Sequence, residues 1–144
     1  MKHVHSRARE AVLKALYQAD VLKQVPEQEA IEELLDSEGL TPKARQYAAR
    51  LLKGCLEKQE ELDRIISQAL QRWELQRLAA VDRCLLRLGT FELLYEPSVP
   101  PKVAINEAID LAKKYSTEQS GGFINGILDR IRRDSDKIKG DLNE

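Results

Sequence analysis

The first fourteen residues carry four cations, Lys2, Arg7, Arg9 and Lys14, with only Glu10 opposing them locally. Such side chains can neutralise phosphates, and arginine is best suited because its planar fork grips two oxygens. Tyr17 follows a helical turn or more beyond the arginines, in reach to stack on an unpaired base. A solvated helix face explains the charges equally well, and a tyrosine at this spacing is more often a core residue. Near the other end, Phe123 follows Gly121 and Gly122, which permit close backbone approach, yet its spacing to Ile127 also suits a core anchor. Residue pattern alone leaves both alternatives open at each place.

Catalytic chemistry finds little support. Gly121-Gly122 has neither the spacing of a phosphate-cradling loop nor the strand that should precede one. The two histidines, His3 and His5, have no cysteine or clustered acid nearby, so they read as exposed terminal side chains and no metal is expected. Carboxylate pairs such as Glu32-Glu33 and Glu60-Glu61 fall on polar helix faces, where solvation accounts for them. The expectation is a protein with no catalytic residues and no cofactor.

These residues must be positioned by helices, because apolar positions recur at helical spacing almost everywhere and no segment alternates as a strand would. The fold class is therefore all-α. A first helix begins near Ser6, a candidate N-cap, and runs through Val12, Leu13, Leu16 and Tyr17, with Arg9 and Lys14 assigned to its opposite face. Pro26 opens an acidic second helix that ends at Gly39, and Thr41-Pro42 starts a third reaching about Gln59. The fourth carries a one-sided stripe from Leu62 to Leu70 and ends near Trp73. From Leu78 to Tyr95 apolar residues leave little polar surface, so the fifth helix is expected to be wrapped by its neighbours. Pro97, Pro100 and Pro101 break the chain before a sixth helix, and Ser116 with Gln119 could form a capping box for a seventh.

The length of 144 residues suits one domain, and 23 basic against 24 acidic residues give a net charge of -1. Any affinity for a polyanion must then come from a local patch. Cys55 and Cys84 sit inside apolar helical patterns and read as core thiols of a reducing compartment. With no apolar run long enough for a bilayer and no secretory leader, a cytoplasmic location and no membrane partner are expected. A helical domain is expected over residues 1–134, followed by a polar, disordered tail over 135–144.

Arg7-Ala8-Arg9-Glu10-Ala11-Val12 with Ala15-Leu16-Tyr17 resembles the opening of the NusB family of bacterial transcription antitermination proteins. The similarity continues through Val81-Asp82-Arg83, Leu86-Arg87-Leu88-Gly89 and Phe91-Glu92-Leu93. It is strongest over Ala104-Ile105-Asn106-Glu107-Ala108, Leu111-Ala112-Lys113-Lys114-Tyr115 and Phe123-Ile124-Asn125-Gly126-Ile127-Leu128-Asp129, and covers the chain from about Arg7 to Ile131.

The resemblance implies a seven-helix, single-domain NusB-like bundle that binds the boxA element of nascent ribosomal RNA transcripts. It also implies a heterodimer with NusE, the small-subunit ribosomal protein, acting on the elongation complex of RNA polymerase; a homodimer is a further possibility in the family. The implied RNA surface comprises Lys2, Arg7, Arg9, Tyr17, Gln119 and Phe123, and the implied NusE surface comprises Asp82 with Arg77 and Arg83. Two departures thin the positive charge: His5 and Ser6 stand where many relatives place arginines, and Gly122 where they commonly carry lysine. Two rivals remain, a homo-oligomeric helical scaffold and the RNA-binding domain of an RNA cytosine methyltransferase. The second is disfavoured by a chain that stops after the last helix.

Overall fold

The computed structural model of the chain describes residues 5–143 and consists of eight α-helices in one unit. They are α1 (Ser6–Leu22), α2 (Gln28–Ser37), α3 (Pro42–Glu57), α4 (Gln59–Ala69), α5 (Ala80–Tyr95), α6 (Pro101–Tyr115), α7 (Glu118–Arg133) and α8 (Ser135–Leu142). A single 3-10 turn, Leu75–Arg77, leads from α4 into α5. Among the described residues there is no strand, and no helix is long and apolar enough to cross a membrane.

Local chemistry sets most boundaries. Thr41 accepts the Ala44 amide at 3.2 Å, and Pro42 occupies the first helical position of α3, where its missing N–H costs nothing. Gly39 takes a left-handed φ of 65° just after α2, and Lys23 does the same at 54° after α1, both ending a helix by reversing the backbone. Two expected caps are different. Ser6 is the first helical residue of α1, not its cap, and its hydroxyl donates to Glu107. The expected Ser116–Gln119 capping box does not form: Thr117 precedes α7, and the Ser116 hydroxyl donates instead to Asp82 at 2.8 Å.

The fifth helix is the axis of the fold. Every residue from Cys84 to Leu94 is buried, and α5 packs against α1, α3, α4, α6, α7 and α8. Burial pushes the Cys84 thiol up to about 12 and the Cys55 thiol further, so both remain protonated core groups. The segment expected as a disordered tail instead forms α8, whose Ile138 and Leu142 cover the edge of the core between α5 and α7. Two apolar residues four apart were enough to give a mostly polar stretch one side to bury. The helix count is therefore eight where seven were expected.

Helices α3 and α5 approach so closely that a Cβ on Gly54 would lie 2.2 Å from Cζ of Phe91. The ring is held in turn by Tyr95, its centroid 5.2 Å away. Gly54→Ala is expected to lower the unfolding free energy by about 1 to 2 kcal/mol, an overpacking cost offset in part by better helix propensity. Urea denaturation checks this, and an unchanged or raised midpoint would contradict the close packing of α3 on α5.

Candidate nucleic-acid interface

Arg9 does not lie on the surface. It precedes Val12, Leu13 and Leu16 by three, four and seven residues, so it shares their inward face, and only 2% of its surface is exposed. Its Nε donates to both Glu92 oxygens at 2.8 and 3.0 Å, and Nη1 donates to Glu107 at 2.9 Å. Tyr47 donates to Glu92 from α3, and Ser6 to Glu107. Burial alone would pull the Arg9 charge down, but the Glu92 hydrogen bond and the carboxylate charges raise it, so it stays ionised. The assignment of Arg9 to phosphate is thus corrected, because its donors are committed to two buried carboxylates.

His5 is likewise not the free terminal side chain expected. Its ring stacks on Tyr47 with centroids 3.9 Å apart and planes 15° from parallel. Burial, with the Arg9 charge adding to it, lowers its pKa, which keeps the ring neutral beside the cations. His3 and Lys2 lie outside the described residues.

What α1 does present to solvent is a stripe of Arg7, Glu10, Lys14 and Tyr17, spaced by three and four residues. Arg7 is exposed, donates to the Glu38 carbonyl at 3.1 Å, and has no carboxylate at salt-bridge distance among the described residues. Tyr17 keeps 43% of its surface accessible, which leaves a ring face open for stacking. The carboxyl end of α6 joins this stripe: Lys114 pairs with Glu10 at 3.0 Å, and its ammonium lies 5.3 Å from the centroid of the exposed Tyr115 ring. Reading by sequence passed over Lys114 and Tyr115, since nothing local shows that α6 ends beside α1.

Gln119 is exposed and Phe123 half-buried against the core, one turn apart on α7. That helix packs on α4, α5 and α6, so its relation to the α1 stripe runs through α6. Asp82, in the first turn of α5, accepts the Ser116 hydroxyl at 2.8 Å and the Ser120 hydroxyl at 3.0 Å. It thereby fixes the α6–α7 junction that carries Gln119 and Phe123. Arg77 stands in solvent with only a 3.4 Å pair to Glu74, whereas Arg83 is turned inward onto Asp20 at 2.6 Å. Arg83 also donates to the Leu78 carbonyl, so it serves the fold more than a partner.

Asp20 belongs to a second ionic cluster, since Arg87 bridges it at 2.8 Å to Asp63 of α4 at 2.7 Å. Desolvation would push Asp20 up, but the hydrogen bonds from Arg83 and Arg87 outweigh it and hold the carboxyl below its ordinary 3.8. Among the described residues, no cluster of three or more histidine, cysteine or acidic side chains is placed to hold a metal.

A family model described as the NusB family matches residues 6–133. The transcription antitermination protein NusB of Methylacidiphilum infernorum is 40% identical over 129 residues, covering 90% of each chain. Among solved structures, NusB of T. maritima superposes with a TM-score of 0.86 at 44% identity, covering 98% of this chain and 99% of that one. A structure of the antitermination factors NusB and NusE in complex with double-stranded RNA gives 0.83 at 32% identity, covering 92% of this chain and 98% of the matched one.

The ionic geometry separates neighbouring arginines. Arg9→Ala is expected to destabilise the protein by about 3 to 5 kcal/mol because it strands buried carboxylates, whereas Arg7→Ala should change stability by no more than about 0.5 kcal/mol. Equal effects in thermal or urea unfolding would contradict the assignment. The depressed Asp20 carboxyl contributes stability above its unfolded pKa, near 3.8, and loses it as pH falls through the lower folded value. The stability gap between the wild type and Asp20→Asn should therefore narrow below about pH 4. A gap constant from pH 7 to pH 3 would show that Asp20 does not act as an ion.

Proposed function

The chain belongs to the NusB family, and from that premise we propose that it is a transcription antitermination factor binding the boxA element of nascent ribosomal RNA transcripts together with NusE. The role is one of binding, not catalysis: the pair, seated on RNA, makes elongating RNA polymerase resist termination. The observation that carries this reading is the exposed stripe of Arg7, Lys14 and Tyr17, met by Lys114 and Tyr115. Cations beside open aromatic rings match the needs of single-stranded RNA, whose phosphates require neutralising and whose unpaired bases stack.

In this reading Arg7 takes phosphate, Tyr17 and Phe123 stack on bases, and the Gln119 amide meets a base edge. Lys2, outside the described residues, adds a further cation for phosphate. Arg9 acts from within, holding α1 in the rotation that turns Arg7 outward. Asp82 serves the NusE side, with Arg77 as a weaker contact, and Asp82 also holds the α6–α7 junction. Arg83 contributes by fixing α1 to α5 through Asp20.

Titration of boxA and scrambled RNA with and without NusE tests the proposal. Binding should favour boxA and tighten when NusE is present, and no sequence preference in either state would instead favour a protein-only helical scaffold. Arg7→Ala should flatten the slope of log affinity against log salt by about 0.7, the share of one phosphate contact on a single strand. A complementary gain is available at Gly122, where an added side chain would meet nothing within 4 Å. Gly122→Lys should steepen the slope by about as much. An unaltered slope in both variants would move the RNA elsewhere.

A further inference from the structure

We propose that Lys14 and Lys114 extend the phosphate-binding face begun by Arg7, and that Glu38 and Glu10 occupy those ammonium groups as internal substitutes for RNA phosphate. This rests on the RNA-binding reading of the same face and says how that face discriminates among RNAs.

The Lys14 ammonium lies 2.9 Å from a Glu38 oxygen, and Arg7 grips the same residue through its carbonyl at 3.1 Å. Lys114 donates to both oxygens of Glu10, at 3.1 and 3.0 Å. Those are the separations an RNA phosphate oxygen would take on the same donors. Both pairs sit at the surface: Lys14 and Lys114 keep 43% and 57% of their side chains exposed, against 21% and 26% for Glu38 and Glu10. A pair so placed contributes little to stability, so an incoming anion can exchange with its carboxylate.

Each carboxylate also ties α1 to a neighbour, Glu10 to α6 and Glu38 to the end of α2, through exposed pairs that add little to stability. Glu38 follows α2 directly, at the negative end of the helix dipole, where an acid is disfavoured. Glu10 stands on the solvent stripe of α1, away from the Arg9 core. Between α1 and α6 a groove of about 250 Å³ is lined by Arg7, Glu10, Glu107, Asp110 and Lys114. The exposed Asp110 carboxylate disfavours phosphate inside the groove, so the strand passes over the ammonium groups instead.

A consequence follows for specificity. Because Lys14 and Lys114 are already neutralised, a polyanion gains little from them by simple charge attraction, and displacement needs the added free energy of stacking on Tyr17. When RNA displaces a carboxylate, the freed carboxylate recruits a cation from solution and offsets part of the counterion release. The glutamates thus flatten the salt dependence.

The test compares boxA and scrambled RNA binding across a salt series for the wild type, Glu10→Gln, Glu38→Gln, their double variant, Lys14→Gln, Lys114→Gln and Arg7→Ala, with circular dichroism to confirm folding. Each glutamine-for-glutamate change should tighten binding about two- to fivefold. The double variant should also steepen the salt slope and bind the two RNAs more alike, and each lysine change should weaken binding. If Arg7→Ala weakens binding but the glutamate variants bind no tighter, the phosphate-substitute role is wrong and the RNA face stands. If the arginine and lysine variants all bind as the wild type does, the RNA face itself is wrong and the inference falls with it.

Discussion

A charge buried in a protein interior must be paired, and three are buried along α5 and the residue just past its end: Arg87, Glu92 and Glu96. Glu92 is met by Arg9 and Tyr47, Arg87 by Asp20 and Asp63, and Glu96 by Arg50 through two hydrogen bonds. The partners come from α1, α3 and α4, so the central helix dictates where each neighbour sits. The constraint on α1 is strongest, because Arg9 and Asp20 are eleven residues apart, three turns of helix, and both point inward to α5. Pinned at both ends, α1 cannot rotate. Arg7, Glu10, Lys14 and Tyr17 are then turned to the outer stripe.

Buried ion pairs are poor evidence of stability as such, since well-packed apolar residues often do as well. Their value here lies in specifying rotation and register. A set of apolar side chains on α1 would tolerate a small roll about the helix axis, whereas a guanidinium hydrogen-bonded to two carboxylates on different helices does not. Glu107 extends the same logic to α6, which brings Lys114 and Tyr115 beside α1. Fold and surface are therefore coupled through one buried arginine.

Helices α1 to α7 are readable from sequence, since apolar spacing, Thr41-Pro42 and the proline-rich break before α6 carry their own local causes, whereas α8, with two apolar residues in a polar stretch, is not. The misreadings were of polar residues in apolar register. Arg9 was assigned by its charge, although its spacing to Val12, Leu13 and Leu16 placed it inward. The matching signal was present in Glu92, inside an almost wholly apolar helix, and in Glu107, three residues after Ala104 and four before Leu111. Complementary charges on three core stripes announce a buried network, but only once long-range pairing is considered. Ser116 was misread for a related reason: its local partner would have been the α7 backbone, and the acceptor it finds is Asp82, 34 residues away. Local pattern also could not reveal that α6 ends against α1, so Lys114 and Tyr115 were missed.

The division of labour between Arg7 and Arg9 is the centre of this account, and the arginine Nε–Hε resonances during titration with boxA RNA in the presence of NusE examine it most directly. The Arg7 resonance is expected to shift with RNA while that of Arg9, buried on Glu92, stays unmoved and protected from solvent exchange. Movement of the Arg9 signal with Arg7 unchanged would contradict it.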